Sequence, residues 1–300
     1  MDDSTQNIAV LLESRMGEMS KGHRKIARYI IDHYDKAAFM TASKLGTEVG
    51  ISESTVVRFA TELGFEGYPE MQKALKGYTS SRMTSIQRMD VMNTQLTGED
   101  VLSKTLNFDI DQIRKTLEEI DREEFERTVE ELSNARSIYV IGARSAAVLA
   151  RYIVFYFNIM VDNCKIVHTT STSEMFEQIL TIGPGDIMIG VSFPRYSKHT
   201  VKAFNYAHER GAKVIAITDS KASPLAKYAD FLLTAHSDMA SFADSLVAPM
   251  SLINALISAV GMRKKDYVEN NFKTLEKIWD KYEVFEKTDS RNDDESDIIP

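Results

Sequence analysis

The sequence predicts an all-α N-terminal domain followed by an α/β C-terminal domain, in which helices flank a parallel sheet. Two observations predict this division. From Gln6 to Lys76, apolar residues recur every three or four positions, as they do on the buried face of a helix. After Ile138, short continuous apolar runs alternate with helical patterns, which is typical of parallel strands buried on both faces. A chain of 300 residues is long enough for two such domains.

Composition and cysteine content narrow the class of protein. The formal net charge of −8 argues against a chain that is basic throughout, but nucleic-acid binding depends on where the cations lie. Cys164 is the only cysteine, which excludes an intrachain disulfide and a four-cysteine zinc site and fits a reducing compartment. The chain opens with M-D-D-S-T-Q-N, unlike a secretory signal, and Leu246–Val260 is short and interrupted for a membrane span. We therefore expect a cytoplasmic protein without membrane contact and without a metal or other cofactor.

Two helices are predicted at the start of the chain. Apolar residues at helical spacing mark both, and Ser20 is placed to cap the second one. Basic side chains on the second helix are expected to point outward and to make that surface positive. The apolar positions are Ile8, Leu11, Leu12 and Met16 in the first helix and Ile26, Ile30 and Ile31 in the second, and the basic positions are Lys21, His23, Arg24, Lys25 and Arg28.

The segment T-A-S-K-L-G-T-E-V-G-I-S-E-S-T-V-V-R-F-A-T-E-L-G-F, residues 41–65, has the spacing of a helix-turn-helix. Leu45 and Val49 give its first helix an apolar face, and Gly50 can take the left-handed conformation of a tight turn. Ser52 is expected to cap the second helix. That helix then presents an inner face made of Val56, Phe59, Ala60 and Leu63. In DNA-binding proteins with this motif the second helix enters the major groove.

Polar side chains at the start of the second helix are suited to DNA. Short hydroxyls reach phosphates, and a forked guanidinium reaches base edges, with guanine as its natural partner. Glu53 and Glu62 lie on the same outer face and repel phosphate. The alternatives are a solvated face on an ordinary helical hairpin, or a protein-interaction module without a DNA target. Because the glycine, the serine and the apolar positions all fall in register, DNA binding is favoured, and the predicted DNA contacts are Thr41, Lys44, Ser52, Ser54, Thr55 and Arg58.

A polar helical region is predicted between the two domains. It begins with T-S-S-R-M-T-S-I, residues 79–86, and contains amphipathic helices over Leu102–Ile120 and Phe125–Leu132. Near the end of the chain a last helix is expected, followed by an acidic segment that is nearly free of apolar residues and is expected to be disordered. The predicted divisions are 1–78 for the helix-turn-helix domain, 79–134 for the helical linker, 135–265 for the α/β domain, 266–288 for the C-terminal helix and 289–300 for the acidic tail.

Five strands and four helices are predicted in the α/β domain. Three continuous apolar runs are the clearest strands, and two shorter runs are weaker candidates. Sheets of this kind bind ligands at the carboxyl ends of their strands. The strands are Ser137–Gly142, Asp186–Ser192 and Lys213–Thr218, with Cys164–Thr169 and Asp230–Thr234 as the weaker ones, and the helices are Ala146–Met160, Ser173–Leu180, Lys198–Arg210 and Ser241–Val260.

Hydroxyls and cations follow three of these strands. The loop G-V-S-F-P-R-Y-S-K-H-T, residues 190–200, gathers both, while V-I-G-A-R-S-A-A places a serine after Gly142, and T-T-S-T-S is a run of hydroxyls. Ser145 is expected to cap a helix whose first amides hold an anion, although a serine that only caps is the simpler alternative. Three such loops together favour an anion site. The predicted ligand contacts are Arg144, Ser145, Thr170, Ser171, Ser192, Arg195, Ser197, Lys198 and Thr200.

Both halves of the chain resemble the RpiR family of bacterial transcription regulators, in which a helix-turn-helix precedes a sugar isomerase (SIS) domain. The resemblance covers roughly residues 8–260. It rests on S-E-S-T-V-V-R-F-A-T-E-L-G-F-E-G-Y in the first domain, and on I-G-A-R-S, G-A-K-V-I-A-I-T-D and S-P-L-A-K-Y-A-D in the second. It implies a SIS-like α/β fold and a phosphorylated sugar as effector. It also implies that Ser145, Ser192, Ser197 and Thr200 have the roles of the family's ligand-binding serines.

The second ligand loop departs from the family pattern. The usual S-x-S-G-x-T is replaced here by S-F-P-R-Y-S-K-H-T. Losing the glycine restricts close approach of the backbone to a phosphate, whereas Arg195 and Lys198 add positive charge. The departure therefore indicates that the ligand need not be a typical sugar phosphate and can be a carboxylated or otherwise anionic sugar derivative. The expected effector is accordingly a phosphorylated or otherwise anionic sugar derivative.

A regulator is favoured over an enzyme. Sugar-phosphate isomerisation needs an acid or base over the substrate carbons, and none of the candidate groups has a recognisable partner in the sequence. We expect a non-catalytic homodimer or homotetramer that binds an operator in double-stranded DNA and responds to its effector. The alternative is a SIS-fold sugar-phosphate isomerase with a helical assembly domain. Its candidate acid or base groups are His168, Glu174, His199, His208 and Asp244.

Overall fold

The computed structural model describes residues 8–80, 83–95, 100–239 and 241–286. Six helices form the N-terminal domain, three form the linker region, and the α/β domain with the last helix follows. The predicted acidic tail, 289–300, lies outside the described residues. The first nine helices are α1 (Ile8–Arg15), α2 (Lys21–Asp32), α3 (Tyr34–Ala37), α4 (Ala42–Val49), α5 (Glu53–Glu62), α6 (Tyr68–Ser80), α7 (Ser85–Gln95), α8 (Val101–Glu119) and α9 (Arg122–Asn134).

The rest of the chain alternates strands and helices as predicted. These elements are β1 (Ser137–Gly142), α10 (Ala146–Met160), β2 (Cys164–Val167), α11 (Thr172–Gln178), β3 (Asp186–Val191), α12 (Lys198–Glu209), β4 (Lys213–Thr218), β5 (Phe231–Thr234), α13 (Val247–Arg263) and α14 (Lys265–Lys281). No helix in the described part of the chain is long and apolar enough to cross a membrane.

The N-terminal domain is held by one apolar core. Leu12, Ile26, Leu45 and Phe59 are fully buried in it, so each of four helices contributes its apolar face. Ser20 caps α2 as predicted, since its side chain accepts a hydrogen bond from the amide of His23 at 3.2 Å.

His23 corrects one prediction about this domain. Instead of pointing outward as a cation, the His23 side chain is buried against the Phe59 ring, with 5.5 Å between ring centroids. Its Nδ1 lies 2.9 Å from a carboxylate oxygen of Glu62. The physical reason is its spacing, because His23 lies three and seven positions before Ile26 and Ile30 and therefore shares their inner face.

Helices α8 and α9 pack on the α/β domain, and Glu119 of α8 also pairs with Lys73 of α6 in the N-terminal domain at 3.0 Å. Thr116 and Gln112 of α8 accept hydrogen bonds from the amides of His236 and Asp238, at 2.9 and 3.2 Å. Glu124 of α9 accepts from the amide of Leu232 in β5, at 2.9 Å. Side chains from these helices thus satisfy backbone donors at one edge of the sheet and in the loop after it.

The five strands form a parallel sheet in the order β2-β1-β3-β4-β5. Gly142 and Val191, the last residues of β1 and β3, are paired in register. Because β2 lies on one side of β1 and β3 on the other, the strand order reverses between them. Ligands of open α/β sheets bind outside the carboxyl ends of the strands at such a point. The topology therefore marks the loops after β1 and β3.

Two helix boundaries lie six or more positions from the prediction. Helix α13 begins at Val247, six positions later than expected, because Asp244 and Ser245 are engaged by side chains of α7 and α8: Arg88 donates to Asp244 at 2.7 Å, and Ser245 donates to Asp109 at 2.6 Å. The last helix ends at Lys281 rather than 288, since the chain folds back there and the Phe285 ring packs on Trp279.

Candidate functional site

Two regions bring predicted site residues together, and the first is the helix-turn-helix. Gly50 has φ of 69°, the left-handed conformation that favours glycine, and ends α4 as predicted. The amide of Ile51 then donates to the carbonyl of Gly46 at 2.8 Å, which closes the turn. Thr41 caps α4 by accepting from the amide of Lys44 at 3.2 Å.

Gly46 is a feature of this turn that the sequence interpretation missed. A Cβ atom on Gly46 would lie 2.6 Å from the carbonyl oxygen of Ile51, a distance that real contacts do not show. Only glycine therefore allows α4 to approach the turn so closely. The signal in the sequence was a glycine inside a short helix, which is unfavourable unless close packing requires it.

Ser52 stands at the cap position of α5 but does not cap it. Its hydroxyl is instead within hydrogen-bonding distance of the hydroxyls of Ser54, at 3.1 Å, and Thr55, at 2.8 Å. This corrects the prediction of a capping serine, because the neighbouring hydroxyls engage it. Three hydroxyls thus form one polar group at the N-terminal end of α5. Arg58 lies one turn further along and is exposed.

The six predicted DNA-contact side chains are accessible to different degrees. Thr41, Lys44, Ser52, Ser54 and Arg58 are exposed, and Thr55 is half-buried. Their accessibility is compatible with a role in DNA contact, but it is also that of any solvated helix face.

The second region is a cleft of about 360 Å³ at the carboxyl ends of β1 and β3. Loops after both strands line it, and α7 and the loop before α13 close it. Its ionisable and hydroxyl-bearing lining residues among those described are Ser85, Arg88, Arg144, Ser145, Ser192, Arg195, Ser197 and Asp244. Five of the nine predicted ligand contacts thus share one cavity.

Arg144 and Arg195 lie one in each of the two strand-end loops. Each has a left-handed backbone, with φ of 57° and 65°, which is uncommon for a residue other than glycine. Side chains held in such strained conformations cluster at ligand-binding sites. The Arg195 guanidinium donates to the hydroxyl of Ser85 on α7, at 3.3 Å.

Ser145 precedes α10 without capping it. Its backbone is already helical, with φ of −60° and ψ of −36°, so its hydroxyl is not directed at the first amides of the helix. The predicted cap is therefore wrong, and the exposed hydroxyl lines the cleft instead. Ser197 does cap its helix, accepting from the amide of Thr200 at 3.4 Å.

The Arg88–Asp244 pair was missed as part of this cleft. Arg88 Nη1 lies 2.7 Å from Asp244 Oδ1, and their side chains are only 5% and 15% exposed. Burial raises the pKa of Asp244, while the positive charges of Arg88, Arg195 and Arg144 oppose that rise. The sequence around either residue does not predict this ion pair, since the two residues are 156 positions apart.

Tyr196 fixes the loop that carries Arg195. Its hydroxyl donates to Asp219 Oδ1 at 2.8 Å, below the end of β4. Burial raises the pKa of Asp219, and the hydrogen bonds from Tyr196 and Thr218 work in the opposite direction. In this loop, which departs from the family pattern, a tyrosine is thus held in place by a buried carboxylate.

Four predicted ligand contacts lie away from the cleft lining. Thr170 donates to Glu174 at 2.7 Å, and Ser171 caps α11. Lys198 is exposed on α12, and Thr200 is fully buried beneath that helix. These residues were predicted as contacts because they follow strands in the sequence. The hydroxyls of Thr170 and Ser171 instead bond to Glu174, at the start of α11.

Asp244 is the one acid or base candidate that lines the cleft. His168 and Glu174 border a shallow depression after β2, and His199 lies 3.2 Å from the hydroxyl of Thr172. Within the described ranges no three histidine, cysteine or acidic side chains cluster closely enough to hold a metal ion.

Comparison with known families covers both domains. Residues 6–82 match the helix-turn-helix domain of the rpiR family, and residues 131–259 match the SIS domain. The chain belongs to the RpiR family. It is accordingly an RpiR-type helix-turn-helix regulator with a SIS domain, and the resemblance noted in the sequence is confirmed.

Relatives of this RpiR-family chain carry regulator names. An uncharacterised HTH-type transcriptional regulator of Caldanaerobacter subterraneus subsp. tengcongensis is 25% identical over 90% of this chain and 97% of its own. Another, from Clostridium perfringens, is 26% identical over 74% of this chain and 79% of its own.

Two solved structures share the fold. The sugar isomerase domain of an RpiR transcription factor from Sphaerobacter thermophilus is 26% identical, with a TM-score of 0.57, over 60% of this chain and 99% of its own. The Vibrio vulnificus NanR protein, complexed with ManNAc-6P, is 23% identical, also with a TM-score of 0.57, over 91% and 98% of the two chains.

Proposed function

We propose that this RpiR-family regulator senses a phosphorylated or otherwise anionic sugar derivative in its SIS cleft and changes its affinity for an operator in response. The observation that carries the proposal is the cleft itself, in which three arginines and four serines from the strand-end loops and α7 lie with one carboxylate. Guanidinium groups and hydroxyls are the usual partners of phosphate and carboxylate. The NanR complex with ManNAc-6P supports the class of ligand, because it is a protein of the same fold that holds a sugar phosphate.

Operator binding is assigned to the hydroxyl group of Ser52, Ser54 and Thr55 and to Arg58. The hydroxyls lie at the positive end of the α5 dipole, where phosphate oxygens bind favourably. Arg58 is exposed one turn later, and a guanidinium is the usual partner of a guanine edge. As a regulator of a bacterial family, the protein would act in the cytoplasm.

Arg58→Ala tests the DNA part of this proposal. Fluorescence anisotropy of a labelled fragment from the protein's own upstream region would give the operator affinity at fixed salt. We expect the substitution to weaken binding by about 1–3 kcal/mol and to relax sequence preference at one position. Lys273→Ala, on the exposed face of α14, is the matched loss of one charge and should leave both quantities unchanged. Unchanged affinity and preference in Arg58→Ala would rule out α5 as the recognition helix.

A homo-oligomer is part of the proposal. Five apolar side chains on α8, each 37–71% exposed, follow one another at three- or four-residue spacing: Leu102, Leu106, Ile110, Ile113 and Leu117. An apolar groove of about 400 Å³ between α8, α9 and α13 lies beside them. A ridge and a groove on one face suit self-association about a two-fold axis. Sedimentation equilibrium should show a dimer or tetramer that Leu106→Glu dissociates.

An isomerase remains the second candidate because of Asp244. Burial raises its pKa toward the range useful for general acid or base catalysis, and it lines the cleft. Against this, Arg88 holds the carboxylate, so it is not free to reach a substrate carbon. Turnover of a sugar phosphate by the wild type that Asp244→Asn abolishes would favour the enzyme.

A further inference from the structure

The polar side chains of the cleft form two groups. On the strand side, the hydroxyls of Ser145, Ser192 and Ser197 lie at the ends of β1 and β3. On the α7 side, Arg88 pairs with Asp244, and Arg195 donates to Ser85. The second group thus includes residues of α7, the helix that directly follows the DNA-binding domain.

Arg88 is buried and pairs with a protein carboxylate, while Arg195 is exposed and donates to a neutral hydroxyl, that of Ser85. A buried guanidinium requires an anion nearby, because leaving its charge uncompensated is strongly unfavourable. Asp244 supplies that anion to Arg88. An acidic group on a ligand is chemically equivalent to the Asp244 side chain and fits between Arg88 and Arg195.

We propose that the effector carries two separated anionic groups, with a phosphate at the strand-end serines and a second acid group, carboxylate or phosphate, that binds Arg88 and Arg195 in exchange for Asp244. This rests on the proposed function and narrows its ligand class. Arg88, contributed by α7, is then a residue that selects the doubly acidic ligand. Arg144, on the loop after β1, is the third positive charge and lies beside the phosphate.

Exchange of Asp244 for a ligand at Arg88 would affect the DNA-binding domain, because the residue next to Arg88 contacts that domain. Its neighbour Gln87 donates through Nε2 to Asp35 Oδ2, on α3 of the DNA-binding domain, at 3.1 Å. Two consecutive residues of α7 thus hold the DNA-binding domain and the cleft. A ligand that binds Arg88 acts directly on this helix, whereas a ligand with one phosphate at the serines does not touch it.

Calorimetric titration of the full chain with matched pairs of probes tests this. Each pair differs in one acid group: glucose 6-phosphate against 6-phosphogluconate, and fructose 6-phosphate against fructose 1,6-bisphosphate. We expect at least one doubly acidic probe to bind about tenfold or more tightly than its partner, the effect of one charge-assisted hydrogen bond. The single-phosphate partner binding as tightly in both pairs would overturn the proposal.

Two variants separate the role of Arg88 from a general charge effect. Asp244→Asn removes the competing carboxylate, so it should tighten binding of the doubly acidic probe several-fold. Arg88→Met with Asp244→Asn removes both charges of the pair and should abolish the preference for that probe. A preference that survives in the double variant contradicts the assignment. If the double variant fails to fold, Arg195→Met takes its place, because Arg195 is exposed and donates to a neutral hydroxyl.

Probe binding and operator affinity distinguish a failure of this inference from a failure of the proposed function. Single-phosphate probes that bind and alter operator affinity would overturn the doubly acidic ligand and leave the regulator intact. If no probe of either kind binds and operator affinity never changes, both are overturned.

Discussion

Arg88 of α7 and Asp244 of the loop before α13 form a buried ion pair, 2.7 Å between Nη1 and Oδ1, that joins segments 156 positions apart. It ties the region after the DNA-binding domain to the mouth of the SIS cleft.

Removing one partner should destabilise the fold more than removing both. Arg88→Met leaves a partly buried carboxylate without its main counter-ion, which costs about 3 kcal/mol of unfolding free energy. That is the low end for buried pairs, because Arg144 and Arg195 also act on Asp244. Adding Asp244→Asn should restore most of the loss. Urea unfolding, followed by circular dichroism, gives the unfolding free energy of the wild type, both single variants and the double variant. If the losses of the two single variants add up in the double variant, the interaction between Arg88 and Asp244 does not contribute to stability.

Gly46 and Gly77 form a matched pair of helical glycines. A methyl group at Gly46 would overlap the carbonyl oxygen of Ile51, whereas at Gly77 on α6 nothing lies within 4 Å. Gly46→Ala should therefore destabilise the helix-turn-helix and weaken DNA binding. Gly77→Ala should stabilise the protein by roughly 0.5–1 kcal/mol through helix propensity. Thermal unfolding of both variants checks this, and equal shifts of the same sign would refute the close approach at the turn.

Position 195 separates backbone strain from side-chain function. Arg195 has φ of 65°, so a left-handed residue with a Cβ is disfavoured by about 1–2 kcal/mol relative to glycine. Arg195→Gly should be more stable than Arg195→Ala by about 1 kcal/mol in urea unfolding. Both should lose the same ligand affinity, because both lack the guanidinium. Equal stability of the two variants would mean that this backbone conformation is not maintained in solution.

Cys164 should be inert in the folded protein. Burial raises the pKa of its thiol to about 12. At pH 8 the fraction of Cys164 present as thiolate is therefore far smaller than for an ordinary cysteine. The thiolate is the reactive form of the side chain. Ellman's reagent should therefore react with Cys164 only slowly at pH 8, and fully once guanidinium unfolds the chain. Complete reaction of the native protein within seconds would contradict the burial of this thiol.

The sequence predicted repetitive features well and single contacts poorly. β1, β4 and α10 have the predicted bounds, because continuous apolar runs and helical spacing report burial directly. The loops after β1 and β3 were located through the same logic, which brought Ser145, Ser192 and Arg195 to one cleft.

Contacts between distant segments were outside the reach of that logic. Nothing near Arg88 points to Asp244, so the wall of the cleft formed by α7 was missed. Predicted caps at Ser52 and Ser145 were wrong because a cap depends on backbone angles and on competing hydroxyls, which composition does not show. The turn glycine was predicted, but the glycine that packs beneath it was not.

One measurement tests the central claim, that a ligand in the SIS cleft controls DNA binding. A labelled fragment of the protein's upstream region is titrated with the full chain at fixed salt, with and without a pool of sugar phosphates and phosphorylated sugar acids, and anisotropy is followed. The account predicts specific binding whose affinity the pool shifts by roughly 1–3 kcal/mol in wild type, and a smaller shift in Arg195→Met. Specific binding that the pool leaves unchanged at saturating concentration would contradict it.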